Sequence, residues 1–238
     1  MRADGLTIDT TGSTLTLTFD SGEGNRFSRE MMDALVSSVA EAGNDEALRF
    51  VRLRAEGDTF CMGRGKGGAD PAEMRSMATR ISTVNETLRT TSLTVLAEVN
   101  GSAAGFGVGM VGASDIAVAA DGATFAFPEI KAGFAPAVVI SWARFMLPPR
   151  LLYDMVSTGD PIGAEQARLA GLVTEVVPRD RLGERVDERI ARLEEVDAFA
   201  LREMKRFLVF TRAMDPATAS KASVDALVFS GMRVIGKF

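Results

Sequence analysis

Two glycine-bordered bends and one carboxylate are the residues of this sequence whose types and spacing suit chemistry. The bends are Phe60-Cys61-Met62-Gly63-Arg64-Gly65-Lys66-Gly67-Gly68 and Asn100-Gly101-Ser102-Ala103-Ala104-Gly105-Phe106-Gly107; the carboxylate is Glu129, between Pro128 and Ile130. Glycines at a bend let the main chain come close to a ligand and turn its N–H groups toward a developing negative charge. The plainer reading is two tight turns, since glycine is the default turn residue. Burial in an apolar run disfavours the charge on Glu129 and raises its pKa toward a range useful for proton transfer. The chain has no histidine. That removes Ser-His-Asp and Cys-His mechanisms and most zinc sites, and leaves acid–base work to carboxylates, Lys, Tyr or Cys. No metal site is expected, and Cys61 reads as inert packing.

Two motifs point elsewhere on paper. Gly107-Val108-Gly109-Met110-Val111-Gly112 spells a dinucleotide fingerprint, and Glu129 follows at about the distance of a ribose-binding acid. In a dinucleotide fold the strand runs straight into the first glycine; here Asn100 to Phe106 intervene after Val99. Gly63 to Gly68 has the same glycine spacing and a Gly-Lys pair, but no Ser or Thr follows Lys66, so it is not a phosphate loop of the Walker type.

The elements that must position these residues alternate. Leu6 and Ile8, then Leu15, Leu17 and Phe19, show the period-2 pattern of half-buried strands around a hairpin turn at Thr11-Gly12-Ser13. Ser28 is placed to cap a helix with Met31, Met32, Leu35, Val36 and Val39 on one stripe, stopping near Gly43. Phe50 to Leu53 reads as a strand, Ala72 to Thr90 as a helix, Leu93 to Val99 as a buried strand and Asn100 to Gly105 as a turn. Phe106 to Ala113 reads as a helix of small residues, and Asp115 to Ala119, Thr124 to Phe127 and Leu172 to Val177 as strands. Helical patterns dominate from Trp142 onward. The pattern is that of an α/β fold with a helical C-terminal part, without an internal sequence repeat. The division expected is an α/β core over 1–180 and a helical region over 181–238.

The totals narrow the partners. The 238 residues, 46% hydrophobic and 25% charged, can bury a substantial core. A net charge of −5 and the lack of a basic block argue against nucleic acid. One cysteine cannot form an internal disulfide. The longest uncharged run, between Glu98 and Asp115, falls short of the about 20 apolar residues a membrane helix needs. With no secretory pattern at the start, a cytoplasmic protein without a membrane partner is expected.

Three segments in order resemble the enoyl-CoA hydratase/isomerase (crotonase) superfamily. They are Asn25-Arg26-Phe27-Ser28 opening a helix; Thr59-Phe60-Cys61-Met62-Gly63, similar to the family's Phe-Cys-Ala-Gly loop; and Val99 to Gly107 followed by Ser114-Asp115, Phe127-Pro128-Glu129-Ile130, Gly133 and Pro136. The resemblance covers roughly residues 5 to 180. It implies a spiral of repeated ββα units with a helical C-terminal region, an acyl-CoA substrate, and no cofactor beyond the coenzyme A of that substrate. It further implies that Met62 and Phe106 N–H groups form an oxyanion hole for a thioester enolate, with Glu129 as acid and base. By the same resemblance Arg26, Arg64, Gly65 and Lys66 would meet coenzyme A, and Gly105, Gly107, Pro128 and Trp142 would line the substrate site. Ser141 and Tyr153 are further polar groups near the expected pocket, although Trp142 and Tyr153 are more often simply packed.

Departures from the family narrow the reaction. Two-glutamate hydratases carry their other glutamate where this chain has Gly109, and the aspartate of some dienoyl isomerases and dehalogenases falls at Ala137. One carboxylate suits double-bond isomerisation and still permits hydration; the other reading is a member that binds acyl-CoA without turnover. Related proteins assemble as trimers or dimers of trimers, and the apolar segment Val196 to Phe210 fits burial either at such an interface or within one subunit.

Overall fold

The structure is a computed structural model that describes residues 2–65 and 70–236. Lys66, implied above as a phosphate contact, lies outside the described residues. Strands β1 (Arg2–Ala3), β2 (Leu6–Thr11) and β3 (Thr14–Phe19) open the fold as an antiparallel ribbon, with Thr11 paired to Thr14 across Gly12-Ser13. Gly12 takes a φ of 56° there, the left-handed conformation that two-residue hairpin turns require. The Ser28 hydroxyl accepts from Met31 N–H and caps α1 (Arg29–Gly43), which buries Met31, Met32, Leu35 and Val39.

A unit of two strands and a helix then recurs. It runs β4 (Phe50–Ala55), β5 (Thr59–Cys61), α2 (Pro71–Thr90); then β6 (Thr94–Val99), β7 (Ser102–Ala104), α3 (Phe106–Ala113); then β8 (Ile116–Ala120), β9 (Thr124–Ala126) and, after a 3-10 turn at Pro128–Ala132, α4 (Ala137–Ala143). Next come α5 (Pro149–Thr158), β10 (Ile162–Gly163), α6 (Ala164–Leu169) and β11 (Glu175–Val177). The first strand of each unit joins a seven-stranded sheet ordered β1-β2-β3-β4-β6-β8-β11, and the second joins a four-stranded sheet ordered β10-β9-β7-β5. This is the expected spiral of ββα units. One expectation is corrected: Asn100 to Gly105 is not merely a turn, because Ser102–Ala104 forms β7, parallel to both β5 and β9. Three small residues carry no period-2 signal, so this strand exists through its neighbours and not through its own pattern.

Alternation along the parallel strands feeds two cores. Val95, Ala97 and Val99 of β6 and Ala117 and Ala119 of β8 face the main core, with α1, α2 and α3. Leu96, Val118 and Ala120 face the other way, where they meet Leu182 and Val186 of α7 (Leu182–Glu194) and Leu201 of α8 (Ala198–Thr211). Strands buried on both faces need helices on both sides. The segment after residue 180 therefore begins as a layer of the core. The half-buried Arg52 of β4 fastens it, pairing with the buried Glu98 of β6 and with Asp187 of α7. Lys205 of α8, 4% exposed, donates to Asp115 Oδ2 and to the Leu93 carbonyl, both at 2.6 Å. Beyond these anchors the chain leaves its own body: Leu208 of α8 is 60% exposed, and α9 (Pro216–Val234) buries no residue.

Candidate active site

The second bend ends where β7 passes into α3. Gly105, with φ 50° and ψ −111°, stands ahead of the helix and donates its N–H to the Ala126 carbonyl of β9 at 2.9 Å. Phe106 is the first helical residue, so its N–H has no acceptor within the helix and sits at the positive end of the helix dipole. Glu129 lies in the 3-10 turn that follows β9, preceded by the fully buried Phe127. Its carboxylate rests on Gly105: a Cβ there would fall 2.3 Å from Glu129 Oε1. The backbone conformation demands glycine at 105, and a side chain there would also displace the carboxylate from the helix N-terminus. Glu129 is half-buried, and its Oε2 is shut off from solvent without a hydrogen-bond partner. Desolvation raises its pKa above the ordinary value, opposed more weakly by its own backbone N–H. Pro128 is exposed at the start of the turn and fixes its entry.

The first bend comes off β5, the parallel neighbour of β7, so both bends emerge at the same end of the small sheet. They touch. A Cβ at Gly63 (φ 96°) would lie 3.4 Å from the Ala104 carbonyl, and one at Gly107 would lie 2.1 Å from the Cys61 carbonyl. Gly107 is therefore a close-approach residue between α3 and β5. Cys61 is fully buried and desolvation pushes its thiol up to about 12, which makes it no nucleophile at neutral pH.

Met62 differs from the expectation of a free donor. Its N–H is already bonded to the Gly24 carbonyl at 2.7 Å. The Gly22–Phe27 segment runs beside the bend, with Phe27 N–H donating to the Gly63 carbonyl and Gly65 N–H donating to the Phe27 carbonyl. Gly24, at φ 76°, is what lets the segment turn its carbonyl onto Met62. In this conformation one of the two expected donors is covered. Arg26 is also committed: its Nη1 donates to the Met62 carbonyl at 2.6 Å. The Arg64 guanidinium is half-buried, with Nη1 3.3 Å from the Gly65 carbonyl. Neither arginine makes an ion pair among the described residues, so both carry an unpaired charge beside the first bend.

Along α3 the glycines at 105, 109 and 112 share one face, and four different side chains lie on it. After Glu129 on Gly105 come Asn85 and Trp142 on Gly109, where a Cβ would lie 3.0 Å from both amide atoms of Asn85 and 3.1 Å from Trp142 Cζ2. Met146 and Trp142 follow on Gly112. Of the fingerprint glycines, Gly107 thus admits the Cys61 carbonyl, while Gly109 and Gly112 make room for side chains and a cavity. The cavity, of about 480 Å3, is lined by Asn85, Gly109, Gly112, Trp142, Phe145 and Met146 among others, with Arg89 and Arg212 also contributing. Trp142 lies edge-on to Phe127, with ring centroids 6.1 Å apart, which links the cavity wall to the residues before Glu129. Ser141 lines the cavity, but its hydroxyl donates to the Val138 carbonyl. Tyr153 is 74% exposed on α5 and is neither packed nor at the cavity. Asn85 was not legible as a site residue; the signal was an amide on the buried stripe of α2, between Met77 and Leu88. Arg212, in the helical C-terminal region, carried no sequence signal.

A family model for enoyl-CoA hydratase/isomerase matches residues 9–232 of the chain. The chain is 32% identical over 179 residues to enoyl-CoA hydratase domain-containing protein 3, mitochondrial, of Rattus norvegicus, covering 71% of this chain and 59% of that protein. It is 29% identical over 212 residues to a (7aS)-7a-methyl-1,5-dioxo-2,3,5,6,7,7a-hexahydro-1H-indene-carboxyl-CoA hydrolase of Rhodococcus jostii, covering 83% and 78%. The chain spans a little over half the length of the mitochondrial relatives it matches. Among solved structures, an enoyl-CoA hydratase from Mycobacterium smegmatis superposes with a TM-score of 0.92 at 23% identity, covering 96% of this chain and 91% of that one. Human enoyl Coenzyme A hydratase domain-containing protein 3 gives 0.90 at 24%, covering 94% and 90%. At such identities the structural likeness speaks to the fold alone.

Proposed function

The chain belongs to the enoyl-CoA hydratase/isomerase family, and from that premise we propose that it is an acyl-CoA enzyme with Glu129 as its single acid–base group. The observation that carries this reading is the Glu129 carboxyl seated on Gly105 at the N-terminus of α3, with one oxygen sealed from water. A thioester α-carbon gives up a proton only if the charge arriving on its carbonyl oxygen is held. The first N–H groups of α3 and its dipole are suited to hold it. Glu129 takes the proton from carbon, the electron pair moves onto the thioester oxygen, and the same carboxyl returns the proton at another carbon. That sequence is double-bond isomerisation. With water held by Glu129, the carboxylate would take a proton from water as its oxygen adds to the β-carbon and return that proton to the α-carbon, and the same site would hydrate.

Met62 joins as second donor once the Gly24 carbonyl swings away and a thioester oxygen takes its place. Arg26 and Arg64 beside the first bend suit the phosphates of coenzyme A. The test is a panel of enoyl-CoA thioesters assayed for isomerisation and hydration with the wild type and Glu129→Gln. Turnover lost by about a hundredfold or more, with acyl-CoA binding retained, is the expected result. Full turnover in the variant would remove Glu129 from the chemistry. The bond from Met62 N–H to Gly24 favours a second reading, a member that binds acyl-CoA without turning it over. Binding without turnover across the panel would select it.

The assembly proposed is a homotrimer or hexamer, supported by apolar side chains such as Leu208 and Leu227 that α8 and α9 leave in water. Light scattering checks it, and a monomer at micromolar concentration would refute it.

A further inference from the structure

Buried polar groups nearly always find partners, and one left without them marks strain or a missing ligand. The cavity beside Gly109 and Gly112 of α3 holds two. Asn85 is 7% exposed, and neither its Nδ2 nor its Oδ1 has a partner. The Trp142 indole N–H is sealed from solvent and likewise unbonded. Both side chains lie against Gly109, and both line the same cavity. A cavity meant for a plain hydrocarbon tail would be stabilised by leucine at 85 and phenylalanine at 142. An unpartnered carboxamide and indole make it a poorer host for such a tail. The charges at the cavity have a definite sign. Arg89, paired to Glu86, and Arg212 both line it, and the Arg212 guanidinium has its pKa lowered by desolvation first and by the charge of Arg89 second. Two cations against one carboxylate leave the cavity net positive.

We propose that the cavity selects acyl groups that carry an oxygen function beyond the thioester, with a carboxylate favoured, and that Asn85 and Trp142 are the specificity-determining residues that read it. This rests on the acyl-CoA reading of the site and names its substrate class. The Asn85 Nδ2 and the Trp142 Nε1 each donate to the distal oxygen, and the net positive charge holds a carboxylate more firmly than a hydroxyl or ketone. The absence of a side chain at 109 gives these two residues their place: the position that carries a carboxylate in two-glutamate relatives is here the floor beneath a hydrogen-bonding pair.

The experiment is calorimetric binding of saturated acyl-CoA thioesters of four to eight carbons, each compared with its ω-carboxy and oxo counterparts of equal length. The wild type should bind an oxygenated thioester at least tenfold more tightly than its hydrocarbon match at one length or more, because a site built around such bonds discriminates strongly against the analogue lacking them. Asn85→Leu and Trp142→Phe should each bring that ratio close to one while leaving the hydrocarbon thioester bound as well or better. Asn85→Leu should also melt higher without ligand. Equal or weaker binding of the oxygenated thioesters at every length overturns the inference and leaves the acyl-CoA reading intact. No binding of any thioester overturns both, and preference unchanged in both variants removes the two residues from the role.

Discussion

Replacing Gly107 by alanine tests whether the two bends are held together by main-chain contact. A methyl group at 107 would lie 2.1 Å from the Cys61 carbonyl oxygen, about 1.3 Å short of the 3.4 Å at which ordinary contact begins. The obstacle is backbone of β5, which is paired with β7, so no side chain can swing away. Relief requires α3 and β5 to part. Overpacking of this kind costs about 1–3 kcal/mol, and a clash with backbone belongs at the upper end. Alanine in place of glycine in a helix returns about 1 kcal/mol, so Gly107→Ala should lose roughly 2 kcal/mol. Gly122, whose Cβ would meet nothing within 4 Å, provides the control and should be neutral or slightly stabilised as alanine. Moving β5 also moves Met62 away from Phe106, and a misplacement of about 1 Å costs on the order of a hundredfold in rate. Urea unfolding and turnover on the best thioester of the panel measure the two effects. If Gly107→Ala stays within about 0.5 kcal/mol of Gly122→Ala, the close approach is not what holds the bends, and the reasoning fails.

Glu129→Gln should melt higher than the wild type near neutral pH. A carboxyl whose folded pKa is raised favours folding below the ordinary value of 4.5 and loses that contribution as pH climbs through the raised pKa, whereas the amide has none to lose. The gap in melting temperature should close below pH 4.5, and a gap independent of pH would remove the buried-carboxyl explanation. Lys205→Met should destabilise by about 3 kcal/mol in urea, because Asp115 and the Leu93 carbonyl lose a buried donor. A change below about 1 kcal/mol would show that α8 is not anchored by that pair. Gly109→Glu alone should bring no hydratase activity, since Asn85 and Trp142 already sit 3.0 and 3.1 Å from where its Cβ must go. A gain in hydration without loss of stability would show that these two side chains yield freely.

Local pattern was enough for much of this protein. Alternation fixed the hairpin at Gly12-Ser13, a serine hydroxyl fixed the start of α1, and small residues after a glycine bend marked α3 with the boundaries it has. The missing histidine limited the acid–base groups from the sequence alone; apolar flanks made Glu129 a candidate, and its proposed role came from the family resemblance. What the sequence left open involves residues far apart along the chain whose roles depend on what they face. β7 is a strand only because β5 and β9 flank it. Gly105 and Gly107 look alike in sequence, yet one cradles a carboxylate and the other admits a carbonyl. Met62 offers an amide on paper, but the Gly24 carbonyl, brought in by a segment nearly forty residues away, already holds it. Asn85 reads as one polar residue on a buried stripe until α3 and α4 set Gly109 and Trp142 beside it. Secondary structure follows from short-range periodicity, whereas hydrogen-bond satisfaction and cavity shape are sums over neighbours that only the folded chain brings together.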